Sequence, residues 1–114
     1  MDYIEETKLF VDKIKHLKEY NDYLNCKNVI ESNPQLQQEI VEYKKKSFNI
    51  HSEYGDGSFE CYENMLRLNE EYNETIEKTE VKEFLNAENK LSRIIEAIYN
   101  CIAECLNFNI SFIE

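Results

Sequence analysis

The sequence predicts an all-α fold: four to five helices in an elongated antiparallel bundle, with a long C-terminal helix that dimerises. Three observations predict it. Only two Gly and one Pro occur in 114 residues, too few chain-breakers for the many turns of a β-sandwich or barrel. Apolar residues recur at alternating three- and four-residue steps, the period of one helix face. The last such run continues unbroken from Val81 to Cys105. The whole chain, 1–114, reads as a single helical domain without internal repeat or flexible linker.

The first segment runs from about Asp2 to Glu31 without Gly or Pro. Phe10, Ile14, Leu17 and Leu24 share one face, whereas Tyr20, Tyr23 and Ile30 lie on a rotated one. That rotation implies either a kink or two helices in close succession. Ser32-Asn33-Pro34 punctuates the chain. Asn33 can cap the next helix, and Pro34 fits the first helical position, where an amide proton is not needed. Leu36, Ile40, Tyr43, Ser47, Ile50 and Tyr54 then step 4-3-4-3-4 along a heptad helix.

Gly55-Asp56-Gly57-Ser58 is a turn, with glycine available for positive φ and Ser58 for the following cap. Cys61, Met65, Leu68, Tyr72 and Ile76 mark the next helix. Thr79 offers an N-cap for the last one, with Glu80 favouring its dipole. Along it Val81, Phe84, Glu88, Leu91, Ile95, Ile98, Ile102 and Cys105 alternate three- and four-residue steps. A helix of roughly 26 residues is about 39 Å long, more than one compact domain of this size spans. A homodimer sharing that seam is the expectation. Beyond it, Phe108, Ile110 and Phe112 alternate along an extended apolar tail over 108–114, docked on its own helices or on a neighbour.

Composition narrows the function classes. Hydrophobic residues at 42% and charged residues at 32% suit a folded, soluble domain. Thirteen Lys and Arg against 23 Asp and Glu leave a net charge of −10, which repels nucleic-acid phosphates. The one dense basic stretch, Lys44-Lys45-Lys46, reads as a solvated helix face. No apolar run is long enough to cross a membrane, and the first residues are acidic where a signal peptide is basic. Four cysteines set within amphipathic patterns indicate reduced thiols in a cytoplasmic protein.

Catalytic signatures are missing. Neither His16 nor His51 completes the Glu-x-x-His pair of a di-metal bundle, and no Cys or Ser stands beside a His in a nucleophile turn. Cys101 and Cys105 share a helix face, and a two-fold dimer could gather four such thiols for zinc or an iron–sulfur cluster. Cys105 also fits a core heptad slot as a small apolar side chain. The reading is therefore no cofactor, with Cys101 and Cys105 as the only metal candidates. Glu88 takes a seam position its neighbours fill with apolar residues, so it is expected to be paired, protonated or at a water-filled interface. The interface and core candidates are Tyr20, Tyr23, Pro34, Phe84, Glu88, Leu91, Ile95, Ile98, Ile102, Phe108 and Phe112.

Two stretches carry a resemblance. Glu19-Tyr20-Asn21-Asp22-Tyr23-Leu24 leads through Ile30 to Asn33-Pro34-Gln35-Leu36-Gln37, and Val81 to Ile95 opens the last helix with an Ala87-Glu88 step. In order and spacing, from about Asp2 to Leu106, the chain resembles the YlbF/YmcA family of small helical bacterial proteins. The resemblance implies a non-catalytic regulator in competence, sporulation and biofilm development. It also implies an adaptor in a complex with a YaaT-like protein that influences messenger-RNA processing by RNase Y. Some members carry iron–sulfur clusters through cysteines near the C-terminus, whereas here residues 107–114 contain none. Leu17 stands where many members place a capping Ser, so a continuous, bent first helix is expected.

The expectation is thus a cytoplasmic regulatory adaptor that acts through protein contacts. The alternative is a cysteine-based metal or iron–sulfur redox sensor.

Overall fold

Asp2 starts the first helix by accepting the Ile4 and Glu5 amides on its carboxylate, at 3.0 and 3.2 Å. From there the computed structural model has six helices among the described residues: α1 (Tyr3–Ile14), α2 (Lys18–Glu31), α3 (Pro34–Tyr54), α4 (Phe59–Glu71), α5 (Asn73–Ile76) and α6 (Thr79–Leu106). The structure describes residues 1–108, and no strand occurs among them. The expected tail beyond Phe108, with Phe112, lies outside the described residues.

Six helices replace the expected four to five, through two breaks with identifiable causes. The continuous, bent first helix is not found. After Ile14 the chain tightens into three-residue bonds, His16 N–H to Lys13 O and Leu17 N–H to Ile14 O. The Asn21 side-chain amide, at 3.3 and 3.0 Å, donates to the Lys15 and Leu17 carbonyls around the break. An asparagine one turn downstream thus helps to satisfy polar groups where a capping Ser was looked for.

The second break is at Tyr72, whose φ of −101° and ψ of 18° lie outside the helical region and end α4. Its carbonyl accepts from Thr75 and Ile76, opening the single turn of α5. The reorientation buries Thr75 and leaves Ile76 only half-buried, shifting the expected apolar stripe by one residue. At α6 the first bonds, from Val81 and Lys82, go to Lys78 O at 3.1 and 3.0 Å. Lys78 therefore occupies the cap position expected of Thr79, which lies inside the first turn.

The remaining local expectations are met. Asn33 Oδ1 accepts the Leu36 amide at 3.2 Å with Pro34 in the first turn of α3. Ser58 Oγ accepts the Cys61 amide at 3.1 Å. Gly55 and Gly57 take φ of 80° and 81°, a backbone conformation that side-chain-bearing residues avoid.

The chain divides into two compact units. In Cys26–Phe84, α3 packs against α4 and α5 as an antiparallel hairpin, whose cross-helix partners lie at matching distances from the turn. His51 meets Cys61, Tyr43 meets Asn69 and Glu39 meets Thr75. Its buried apolar side chains are Ile30, Leu36, Ile40, Cys61, Leu68, Val81 and Phe84. The other unit holds Met1–Asn25 and the chain from Leu85. Among its described residues only Ala87 and Ala103 are buried, and α1 buries none.

Candidate functional site

The sequence-nominated residues separate by burial. Phe84 is buried; Tyr20, Tyr23, Glu88, Leu91 and Ile98 are half-buried. Ile95, Ile102 and Phe108 are exposed, as is Pro34 at the start of α3. The late part of α6 therefore carries an uncovered apolar row, Ile95, Tyr99, Ile102 and Leu106, at four- and three-residue steps. On α1, Tyr3, Ile4, Phe10 and Val11 form a second exposed apolar face. Exposed apolar side chains aligned along a helix, rather than scattered, are the physical mark of a contact surface.

Cys105, expected in a heptad seam slot, is exposed in the single chain, and Cys101 beside it is exposed as well. A hydrogen bond to the Cys105 side chain raises the Cys101 thiol above its usual range, so Cys101 is held as thiol rather than activated as thiolate. Two sulfurs on one helix provide half of a four-ligand zinc or cluster set. Among the described residues no group of three or more His, Cys, Asp or Glu side chains could hold a metal.

The hairpin brings together one constellation that sequence spacing hid. His51 Nδ1 lies 2.6 Å from Asp56 Oδ1 and 3.4 Å from Cys61 Sγ. A thiol, an imidazole and a carboxylate in contact invite a nucleophile reading, but one ring nitrogen faces both partners. When that nitrogen carries a proton for the carboxylate, it has no lone pair with which to take the thiol's proton. With Cys61 buried as well, the arrangement ties the end of α3 to the turn and to α4. Nine residues, two of them glycines, lie between His51 and Cys61, so only the hairpin register could have revealed it.

Two of the three lysines of the basic stretch make contacts within the fold. Lys44 Nζ lies 5.2 Å from the centre of the Phe84 ring, and Lys46 Nζ lies 4.9 Å from that of Tyr72. Lys46 also pairs with Glu71 at 3.0 Å. Hydrogen bonding to the Tyr72 side chain, and then to Glu71, holds the Lys46 ammonium well above the usual lysine range. Among the described residues no helix is long and apolar enough to cross a membrane.

The family model described as control of competence regulator ComK, YlbF/YmcA, matches residues 3–107. A UPF0342 protein of Symbiobacterium thermophilum is 23% identical over 99 residues, covering 87% of this chain and 88% of that protein. A UPF0342 protein of Caldicellulosiruptor bescii is 27% identical over 95 residues, covering 83% and 80% respectively. No solved structure shows a significant match.

Proposed function

Because the chain belongs to the YlbF/YmcA family of competence regulators, we propose that it is a non-catalytic adaptor of the cytoplasm that works through protein–protein contacts. In this reading it pairs with a second copy of itself and joins a complex with a YaaT-like protein. That complex influences RNase Y-dependent processing of messenger RNA and, through it, competence, sporulation and biofilm development. One observation carries the reading. The apolar rows of α1 and α6 remain exposed, where a self-sufficient domain would bury them.

The chemistry found elsewhere in the chain supports a contact role. Cys61, His51 and Asp56 are arranged as a structural tie, and the acidic surface disfavours direct RNA binding. RNA processing is then influenced through the proteins that the adaptor gathers.

Affinity capture from native lysate tests the complex. Recovery of a YaaT-like partner or ribonuclease machinery is expected, and recovery of neither overturns the proposal. Sedimentation at two concentrations tests self-association. Ile102→Asp and Phe10→Asp are expected to shift the protein toward monomer, whereas a wild-type chain that stays monomeric removes the dimer.

A further inference from the structure

Within the Cys26–Phe84 unit, α4 and α5 leave an apolar strip exposed that the adaptor reading has not used. Phe59, Tyr62 and Leu66 recur at three- and four-residue steps and are 69%, 62% and 47% exposed. The strip runs into an open groove of about 450 Å³, lined by Leu66 and Ile76 together with Asn69, Glu70, Asn73 and Glu77. Glu70 and Asn73 also line a second groove of about 570 Å³, which Glu39, Glu42, Glu71 and Glu74 border.

The carboxylates around these grooves outnumber the cations that answer them. Lys46 pairs with Glu71 at 3.0 Å and Lys82 with Glu77 at 2.7 Å. Glu39 accepts the Thr75 hydroxyl at 2.9 Å, and Glu42 accepts the Gln38 amide at 3.3 Å. Among the described residues no cation pairs with Glu70 or Glu74. An apolar strip thus runs beside uncompensated negative charge on the same helical hairpin.

We propose that this surface docks a basic amphipathic helix of a partner protein. Leucine-like side chains of that helix would lie on Phe59, Tyr62, Leu66 and Ile76, and its Lys or Arg side chains would reach Glu70 and Glu74. The 13 residues of α4 span about 20 Å, a length that a helix of about 16 residues covers with a turn to spare. A second copy of this chain fits poorly, because two-fold pairing would set the same carboxylates against each other on a molecule of net charge −10. The inference deepens the adaptor reading and rests on it, since it names the chemistry of one partner.

The test uses the full chain and a fluorescein-labelled synthetic Leu/Lys amphipathic peptide of about 16 residues, followed by anisotropy. A Leu/Glu peptide of the same pattern is the control. Binding of the Leu/Lys peptide is expected to weaken at least about tenfold with Leu66→Asp and with the pair Glu70→Lys and Glu74→Lys. It is also expected to weaken with added salt. The pair Glu5→Lys and Glu6→Lys, on exposed α1, makes the same change in net charge and is expected to leave binding intact.

Three results each overturn the proposal: no binding of the Leu/Lys peptide, equal binding of both peptides, or equal loss from the two lysine pairs. Circular dichroism confirms that each variant is folded. If the peptide fails while affinity capture still recovers the complex, the groove is refuted and the adaptor reading stands. If the peptide binds and capture fails, the adaptor reading falls.

Discussion

Tyr43 on α3 donates its phenolic proton to the side-chain carbonyl oxygen of Asn69 on α4, at 2.7 Å, and its ring meets Tyr72 edge to face at 5.7 Å. One side chain thus links α3 to α4 and to the break between α4 and α5. A partly buried hydrogen bond of this kind contributes about 1 kcal/mol, and an aromatic pair adds a similar amount. Tyr43→Phe keeps the ring and removes the donor. It is expected to lower stability by about 1 kcal/mol, read from urea midpoints at constant slope. The double variant with Asn69→Leu should lose less than the sum of the singles.

Alkaline pH should weaken the same hairpin. Burial raises the Tyr43 phenol above its ordinary 10.0, and contacts with Tyr72 and Glu71 raise Lys46 above 10.5. In both cases the folded state holds the proton more tightly than the unfolded state. The associated stability is therefore present below the unfolded values and lost as pH climbs past them. Cys101, raised by Cys105, acts in the same sense above its ordinary 9.0. Denaturation midpoints are expected to fall above about pH 10, less steeply in Tyr43→Phe and Lys46→Met. An equally steep fall in both variants would contradict the assignment.

The α3 cap is a separable contribution. Asn33→Ala removes the acceptor of the Leu36 amide and should lower stability by about 1 kcal/mol, while Asn33→Asp keeps an acceptor and should change little. Thermal melts of the three proteins check the ordering.

Gly57 is demanded by backbone conformation alone. Its φ is 81°, and a Cβ built there meets nothing within 4 Å. Gly57→Ala should therefore lower stability by about 1–2 kcal/mol without repacking, and Gly57→Asn should lower it less, because Asn tolerates this region better. Spectra of the folded state are expected to remain unchanged.

Burial predicts a contrast between two leucines. Leu68 is buried in the hairpin unit, whereas Leu9 on α1 is exposed. Leu68→Ala should lower stability by roughly 2–5 kcal/mol and Leu9→Ala by less than about 0.5 kcal/mol. Comparable losses from both would contradict this contrast in burial.

Much of the architecture was legible because its causes lie within a few residues. Asn33-Pro34, the glycine turn and Ser58 act through their own or neighbouring backbone, so local spacing suffices to read them. The break after Ile14 was legible only as an alternative. Its helper, Asn21, sits four residues beyond Leu17, and no apolar period reports a side-chain amide turning back to a carbonyl. The exposed apolar rows were half legible. Apolar periodicity marked α6, but Ile95 and Cys105 carry the same signal as Phe84, which is buried.

The sequence by itself determined that the chain is helical, acidic and a relative of YlbF/YmcA regulators, because composition, period and caps are properties of neighbouring residues. Only the tertiary structure decided that Tyr72 ends α4 against Tyr43 and Lys46, that His51 reaches Cys61, and that Thr75 is buried beside Glu39. It also decided which apolar rows stay uncovered. A helical period records that a face is greasy, but what lies against that face depends on segments far away in the chain.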